Sequence, residues 1–282
     1  MIINKEEGII VLILKNCTKS FKKTKALNDF SCEFKHGIYG LLGPNGSGKT
    51  TMMRCICGLL SPEKGSIECD CENIGYLPQQ FGAMKSLTVN ETMRYFATLK
   101  KIPKSNQDNE IRYCIDLVNL SDKIKNKVGS LSGGMVRRLG IAQAIMGNPE
   151  IVLFDEPTAG LDPEERVRFK SLLRKIKNDK TIIISTHIVS DVKSICDEIV
   201  IINEGRNVVQ GTCSDITSIG NEKVFLLDEE YENNLEENYY VKDRISKDNK
   251  NYIIVLSSNF IEQGVSINAD IEDGYLCALK DI

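Results

Sequence analysis

The stretch GLLGPNGSGKTTMMRC, Gly40 to Cys55, sets Gly43, Gly46 and Gly48, a lysine and two threonines between an apolar run and a helix-forming segment. Gly43-Pro44-Asn45-Gly46-Ser47-Gly48-Lys49-Thr50 fits the pattern G-x-x-x-x-G-K-[ST], with Thr51 directly after it. Glycines let successive backbone N–H groups turn inward around a phosphate, and the helix that follows points its positive end at the same place. In such a loop the lysine reaches the β- and γ-phosphates of a nucleotide and the Thr50 hydroxyl can bind Mg²⁺. The setting, after an apolar strand and before a helix, is the one this chemistry needs.

Working outward, short β-branched runs alternate with helical patterns. IIVLIL (9–14), IYGLLG (38–43), IVLF (151–154), TIIIS (181–185) and EIVIIN (198–203) read as strands. Several are apolar on consecutive residues, as strands buried on both faces of a sheet are. After the glycine loop, Met52, Ile56, Leu59 and Leu60 fall on one helical face. DPEERVRF predicts a second helix, capped by Asp162, with Pro163 in its first turn and a buried stripe of Phe169, Leu172, Leu173 and Ile176. Between about 86 and 146 strand signals vanish, and TMRYFATLK, IRYCIDLVNL and MVRRLGIAQAI read as helices. VIINEGRNVVQG predicts a hairpin turning at Glu204–Gly205. Composition then changes, which places a boundary near 213. Beyond it, YVKDRI, NYIIVLSS and GYLCALKDI read as strands.

Composition narrows the classes. The chain has 282 residues and a formal net charge of −3, so nucleic acid is not an expected partner. Ten cysteines occur without a CxxC pair; Cys55/Cys57 and Cys69/Cys71 are CxC pairs with poor zinc-ligand spacing, and all ten are expected as reduced thiols. The N-terminal apolar run is too short, and too acidic in its flank, for a signal peptide. No apolar stretch approaches the ~20 residues that span a bilayer.

Two further segments carry chemistry. EIVLFDEP ends a buried strand in Asp155 and Glu156, at the carboxyl edge where open α/β sheets bind ligands. Asp155 is a candidate for the Mg²⁺ shell, and Glu156 can polarise an attacking water. LSGGM, Leu131 to Met135, places a second glycine-rich cradle before a helix.

With LSGGM between the phosphate loop and Asp155-Glu156, the sequence resembles the ATP-binding cassette (ABC) family, whose signature is LSGGQ-like. The resemblance covers residues 9–212. It implies an α/β fold with a P-loop NTPase (RecA-like) core, an antiparallel β subdomain and a helical insertion within residues 1–212. A small α+β accessory domain would occupy 213–282. Carried onto this chain, the family pattern makes Gln79 in GYLPQQ the glutamine that joins Mg²⁺ and water, with Gln80 as rival. His187 in IISTH resembles the histidine that contacts the γ-phosphate. Phe21 matches the aromatic that stacks on adenine, with a core phenylalanine as the competing reading. Gly160-Leu161-Asp162 resembles a loop that contacts a facing subunit. Ser132, Gly133 and Gly134 would bind the γ-phosphate of an ATP held by another subunit, although Met135 departs from the usual glutamine. His36, in the turn KHG, reads as a surface residue.

The resemblance implies an ATPase subunit of a membrane transporter, an exporter in the style of bacterial drug or antimicrobial-peptide cassettes. Its partners would be a separate transmembrane permease and a second nucleotide-binding subunit, as homodimer or homologous heterodimer. It would sit in the cytoplasm on the inner face of the cell membrane, held through its partner only. Phe81, Met84 and Leu87 are apolar candidates for docking that permease, with burial within the insertion as the competing reading. The competing readings are a soluble ATP-driven switch on ribosomes or DNA, and a P-loop kinase.

Overall fold

The structure is a computed structural model describing residues 10–71, 73–234, 239–248 and 250–282. The N-terminal residues weighed as a signal peptide, and the first residue of the 9–14 strand, lie outside the described residues. β1 (Ile10–Phe21) and β2 (Thr24–Lys35) form an antiparallel hairpin that closes at Phe21 opposite Thr24. β3 (Gly37–Leu42) follows and runs through the glycine loop into α1 (Lys49–Ile56). This helix is shorter than its sequence pattern: Gly58 adopts φ 69° just past its end. Leu59 therefore lies outside the helix, 62% exposed, and the buried apolar residues of α1 are Met52, Met53, Cys55 and Ile56.

β4 (Lys64–Cys69) pairs with β1, so a three-stranded antiparallel sheet of order β2-β1-β4 packs its apolar face over α1. At its end the chain turns back, bringing the Cα atoms of Cys69 and Cys71 to 5.5 Å, within disulfide reach. The two are bonded. The expectation of ten reduced thiols fails at this pair, and eight cysteines are free.

β5 (Ile74–Leu77) leads into the insertion, made of α2 (Val89–Leu99), α3 (Lys104–Leu117) and α4 (Gly133–Ile145). Thr88 and Glu91 form a capping box at the start of α2, and Ser132 caps α4. Then come β6 (Ile151–Asp155), α5 (Pro163–Ile176), β7 (Thr181–Thr186), α6 (Val189–Lys193), β8 (Glu198–Asn203) and β9 (Arg206–Gly211). α5 starts as its sequence predicts, Asp162 accepting from the Glu165 N–H at 2.8 Å and its four expected apolar residues buried. The six-stranded sheet has order β5-β6-β7-β3-β8-β9, parallel except for β9. β6 and β7 are buried at every residue, which is why their sequences are apolar without alternation. Glu204 and Gly205 both take positive φ in the β8–β9 turn, the geometry a two-residue hairpin favours.

The remaining chain forms α7 (Cys213–Ser218), β10 (Val224–Asp228), β11 (Tyr239–Lys247), β12 (Lys250–Ser257), β13 (Val265–Ser266) and α8 (Ile271–Lys280). The strands make an antiparallel sheet of order β11-β12-β10-β13. GYLCALKDI is helix, not strand. Asp270 and Asp273 close a capping box just before it, and Ile271 and Tyr275, four apart, share one buried face. That face packs with α7, α6 and β8, while Cys277 on the other side packs with Val224 and Leu256 of the small sheet. β10 and α7 were not legible beforehand.

Candidate active site

The glycine loop sits at the carboxyl end of β3, beside the ends of β6 and β7 in the same parallel sheet. Gly46 and Gly48 take φ of 83° and 114°, backbone that side chains disfavour. A Cβ on Gly48 would meet the Ala26 carbonyl, and one on Gly43 the Ile202 carbonyl. The loop is thus compressed against β2 and β8 on one side and open on the other. Among the described residues no side chain caps α1, so its first N–H groups, directly after the loop, have no side-chain partner at the cap. Ser47 Oγ is buried without a hydrogen-bond partner among the described residues. A buried hydroxyl is a costly thing to leave unpaired, and a phosphate oxygen here would satisfy it.

The open side is a cleft of about 280 Å³ lined by Gly46, Lys49, Thr50, Thr51, Gln79, Asp155 and Glu156, among others. Lys49 Nζ donates to the carbonyls of Gly43 (2.7 Å) and Pro44 (3.0 Å). Burial lowers its pKa, while the charges of Glu156 and Asp155 oppose that shift. Thr50 Oγ1 donates to Asp155 Oδ2 at 2.8 Å, and Ser185 Oγ donates to Asp155 Oδ1 at 2.6 Å. The Glu156 N–H donates in turn to Ser185 Oγ at 2.8 Å. Glu156 is held at φ 50°, a left-handed conformation that costs a non-glycine residue about 1–3 kcal/mol. Its carboxylate oxygens both lie 3.1 Å from His187 Nδ1.

The fold therefore gathers Gly43, Pro44, Asn45, Gly46, Ser47, Gly48, Lys49, Thr50, Thr51, Gln79, Asp155, Glu156 and His187 around one cleft. Gln79 lines it and Gln80 does not. Phe21 stands on the β1–β2 turn, 46% exposed with Lys19 Nζ 6.0 Å from its ring centroid, so it is not a core residue. Ser132, Gly133 and Gly134 lie elsewhere. Ser132 Oγ accepts from the Met135 N–H at 3.2 Å, both it and Gly133 are exposed, and none of the three lines the cleft. Asp162 is likewise outside it, engaged as the cap of α5. Phe81 packs half-buried against the insertion core, 6.0 Å from the Phe96 ring, whereas Met84 is exposed.

Two residues outside the sequence-based set join the site. Ser185 bridges Asp155 and the Glu156 backbone; a buried hydroxyl that ends an apolar run must find a partner, and that was its signal. Arg137 donates to the carbonyls of Asp155, Glu156 and Gln79, and nothing local in the sequence announced it.

Known proteins similar to this chain bear on what such a cleft does. The family described as "ABC transporter" matches residues 27–159. YxlF of Bacillus subtilis (strain 168), an uncharacterized ABC transporter ATP-binding protein, is 31% identical over 269 residues, covering 92% of this chain and 90% of its own. The Nod factor export ATP-binding protein I of Burkholderia lata is 34% identical over 213 residues, 70% of this chain and 69% of its own. Among solved structures, an ATP-binding cassette in a dimeric post-hydrolysis state with ADP and Pi superposes with a TM-score of 0.65 at 26% identity. It covers 71% of this chain and 98% of that one. The chain belongs to the ABC transporter family, as one of its ATP-binding and ATP-hydrolysing cassettes.

Proposed function

We propose that this cassette powers export through a separate membrane-spanning subunit, working as a pair with a second copy or a homologous cassette. The observation that carries the pairing is the separation of two anion cradles. The glycine loop opens on the cleft with Lys49 and Glu156, while Ser132 and Gly133 are exposed, Gly134 is half-buried and none of the three lines that cleft. One nucleotide needs only one such cradle, so the exposed one serves the ATP of the facing cassette. Export is supported by the likeness to the Nod factor export protein over 213 residues. In this reading the spanning part belongs to the permease and the cassette sits peripherally on the inner face; among the described residues no helix is long and apolar enough to cross a membrane.

Within the cleft, Lys49 leaves its loop carbonyls for the β- and γ-phosphates. The hard oxygen donors of Thr50, Asp155 and Gln79 suit Mg²⁺, which when bound would offset phosphate charge. Glu156 takes a proton from the attacking water, and His187, beside that carboxylate, orients toward the γ-phosphate. Phe21 offers its exposed ring to adenine. Residues 1–212 carry this work; residues 213–282 form an accessory unit braced on it by α8.

The test is recovery of a tagged chain from its own cells. It should sediment with membranes and bring down an integral membrane protein. Recovery with ribosomes or DNA, and no membrane protein, would overturn the transporter assignment.

A further inference from the structure

Arg137 lies in the second turn of α4, downstream of the exposed Ser132–Gly134 cradle, and has no carboxylate partner among the described residues. A guanidinium carries five N–H donors in a fixed plane. Here each meets a backbone carbonyl. Nε donates to Pro157 O at 3.3 Å, Nη1 to Pro78 O at 3.0 Å and Gln79 O at 2.9 Å, and Nη2 to Asp155 O and Glu156 O at 2.6 Å each. The five carbonyls belong to two loops, one carrying Gln79 and the other Asp155 and Glu156. Burial disfavours a charge at this place, lowering the arginine's pKa, so the fold carries a cost to keep it there. The adjacent Arg138 behaves differently: it donates to Val118 O and Asn119 O and lies 3.3 Å from Glu165, tying α4 to α3 and α5 instead.

We infer that Arg137 is a positioning residue for hydrolysis, locking the peptide planes of Glu156 and Gln79 to each other and to the helix that opens at Ser132. The inference deepens the proposed role of Glu156 and rests on it. The left-handed backbone of Glu156 persists only where its surroundings over-determine it: Ser185 holds its N–H and Arg137 its carbonyl. Ala159 N–H at 3.2 Å is its other carbonyl partner, from the same loop, and cannot anchor that loop to anything else. Because α4 begins with the exposed cradle, closure of that cradle on a phosphate would act through Arg137 on both loops. Lysine cannot replace it. An ammonium has only three donors, all on one nitrogen, and cannot reproduce a planar fork that holds five carbonyls of two loops.

The experiment is a double-mutant cycle on the full chain with MgATP, using Arg137→Ala, Glu156→Gln and the pair, with Arg137→Lys beside them. Arg137→Ala should lower kcat by about tenfold or more while KM and the calorimetric ATP affinity stay within about threefold. In the Glu156→Gln background it should slow residual turnover by less than about twofold, since its effect passes through Glu156. Arg137→Lys should resemble Arg137→Ala, and it replaces that variant in the cycle if the alanine form fails to fold. An equal fractional loss in both backgrounds, or wild-type kcat in Arg137→Ala, would overturn the inference. Wild-type turnover in Glu156→Gln alone would instead remove the reading beneath it.

Discussion

Lys49 illustrates how much one side chain settles. It is 6% exposed, its charge disfavoured by burial and supported by Asp155 and Glu156, and its ammonium rests on the carbonyls of Gly43 and Pro44. Those neutral acceptors are a weak match for a buried cation, and a polyphosphate is a far better one. Lys49→Ala should therefore abolish tight ATP binding, measured by titration calorimetry, with the fold intact; wild-type affinity would remove Lys49 from the site. This residue was readable because its partners lie within six positions of it. Arg137 was not, because its partners lie 18 to 59 positions away. The choice between Gln79 and Gln80 likewise turned on which one the end of β5 leaves facing the cleft.

At the scale of elements, local signals worked where burial is uniform and failed where a cap decides. β6 and β7 were legible as apolar runs, and α5 from its Asp162-Pro163 start. GYLCALKDI reads as a strand only if Asp270 is overlooked; once capped, Ile271 and Tyr275 define a helix face. Gly274 lies on that helix where a Cβ would collide with the Ile216 carbonyl of α7. Gly274→Ala should cost about 1–3 kcal/mol by overpacking, seen as a lower denaturant midpoint; an unchanged midpoint would refute the α7–α8 contact. Lys100 offers a second test. It donates to Met146 O at 2.8 Å from the end of α2, and burial pulls its pKa from 10.5 to about 8. Between those values the unfolded chain binds more protons than the folded one, so this group's contribution to stability grows as pH rises. Wild type should gain stability relative to Lys100→Met between about pH 8 and 10.5, by chemical denaturation at each pH. A constant difference would show Lys100 to be exposed.

For the whole molecule, the exposed cradle sets the expectation. Glu156→Gln with MgATP should form a dimer by light scattering, and ADP should not support it. Adding Gly134→Asp places a carboxylate where the facing phosphate would sit. Within one chain a Cβ at that position lies 3.9 Å from Leu161, ordinary contact, so the monomer should fold and bind ATP normally. Dimerisation alone should be lost. A dimer that persists would mean that Ser132–Gly134 merely cap α4, and loss of ATP binding as well would place the cradle at its own chain's nucleotide.

Contiguous chemistry was determined by the sequence itself: the phosphate loop, the carboxylate pair at a strand end and the cap before α4 each need only neighbouring residues and a local backbone. Strands covered on both faces were equally determined, since runs such as those of β6 and β7 suit only a sheet buried on both sides, while their parallel pairing came from the tertiary structure. Tertiary structure alone decided the rest. It drew Ser185 under Asp155, set Arg137 across two loops and left Ser132–Gly134 outside the cleft. Each of these depends on where separate segments meet in space, and a linear pattern carries no record of that distance.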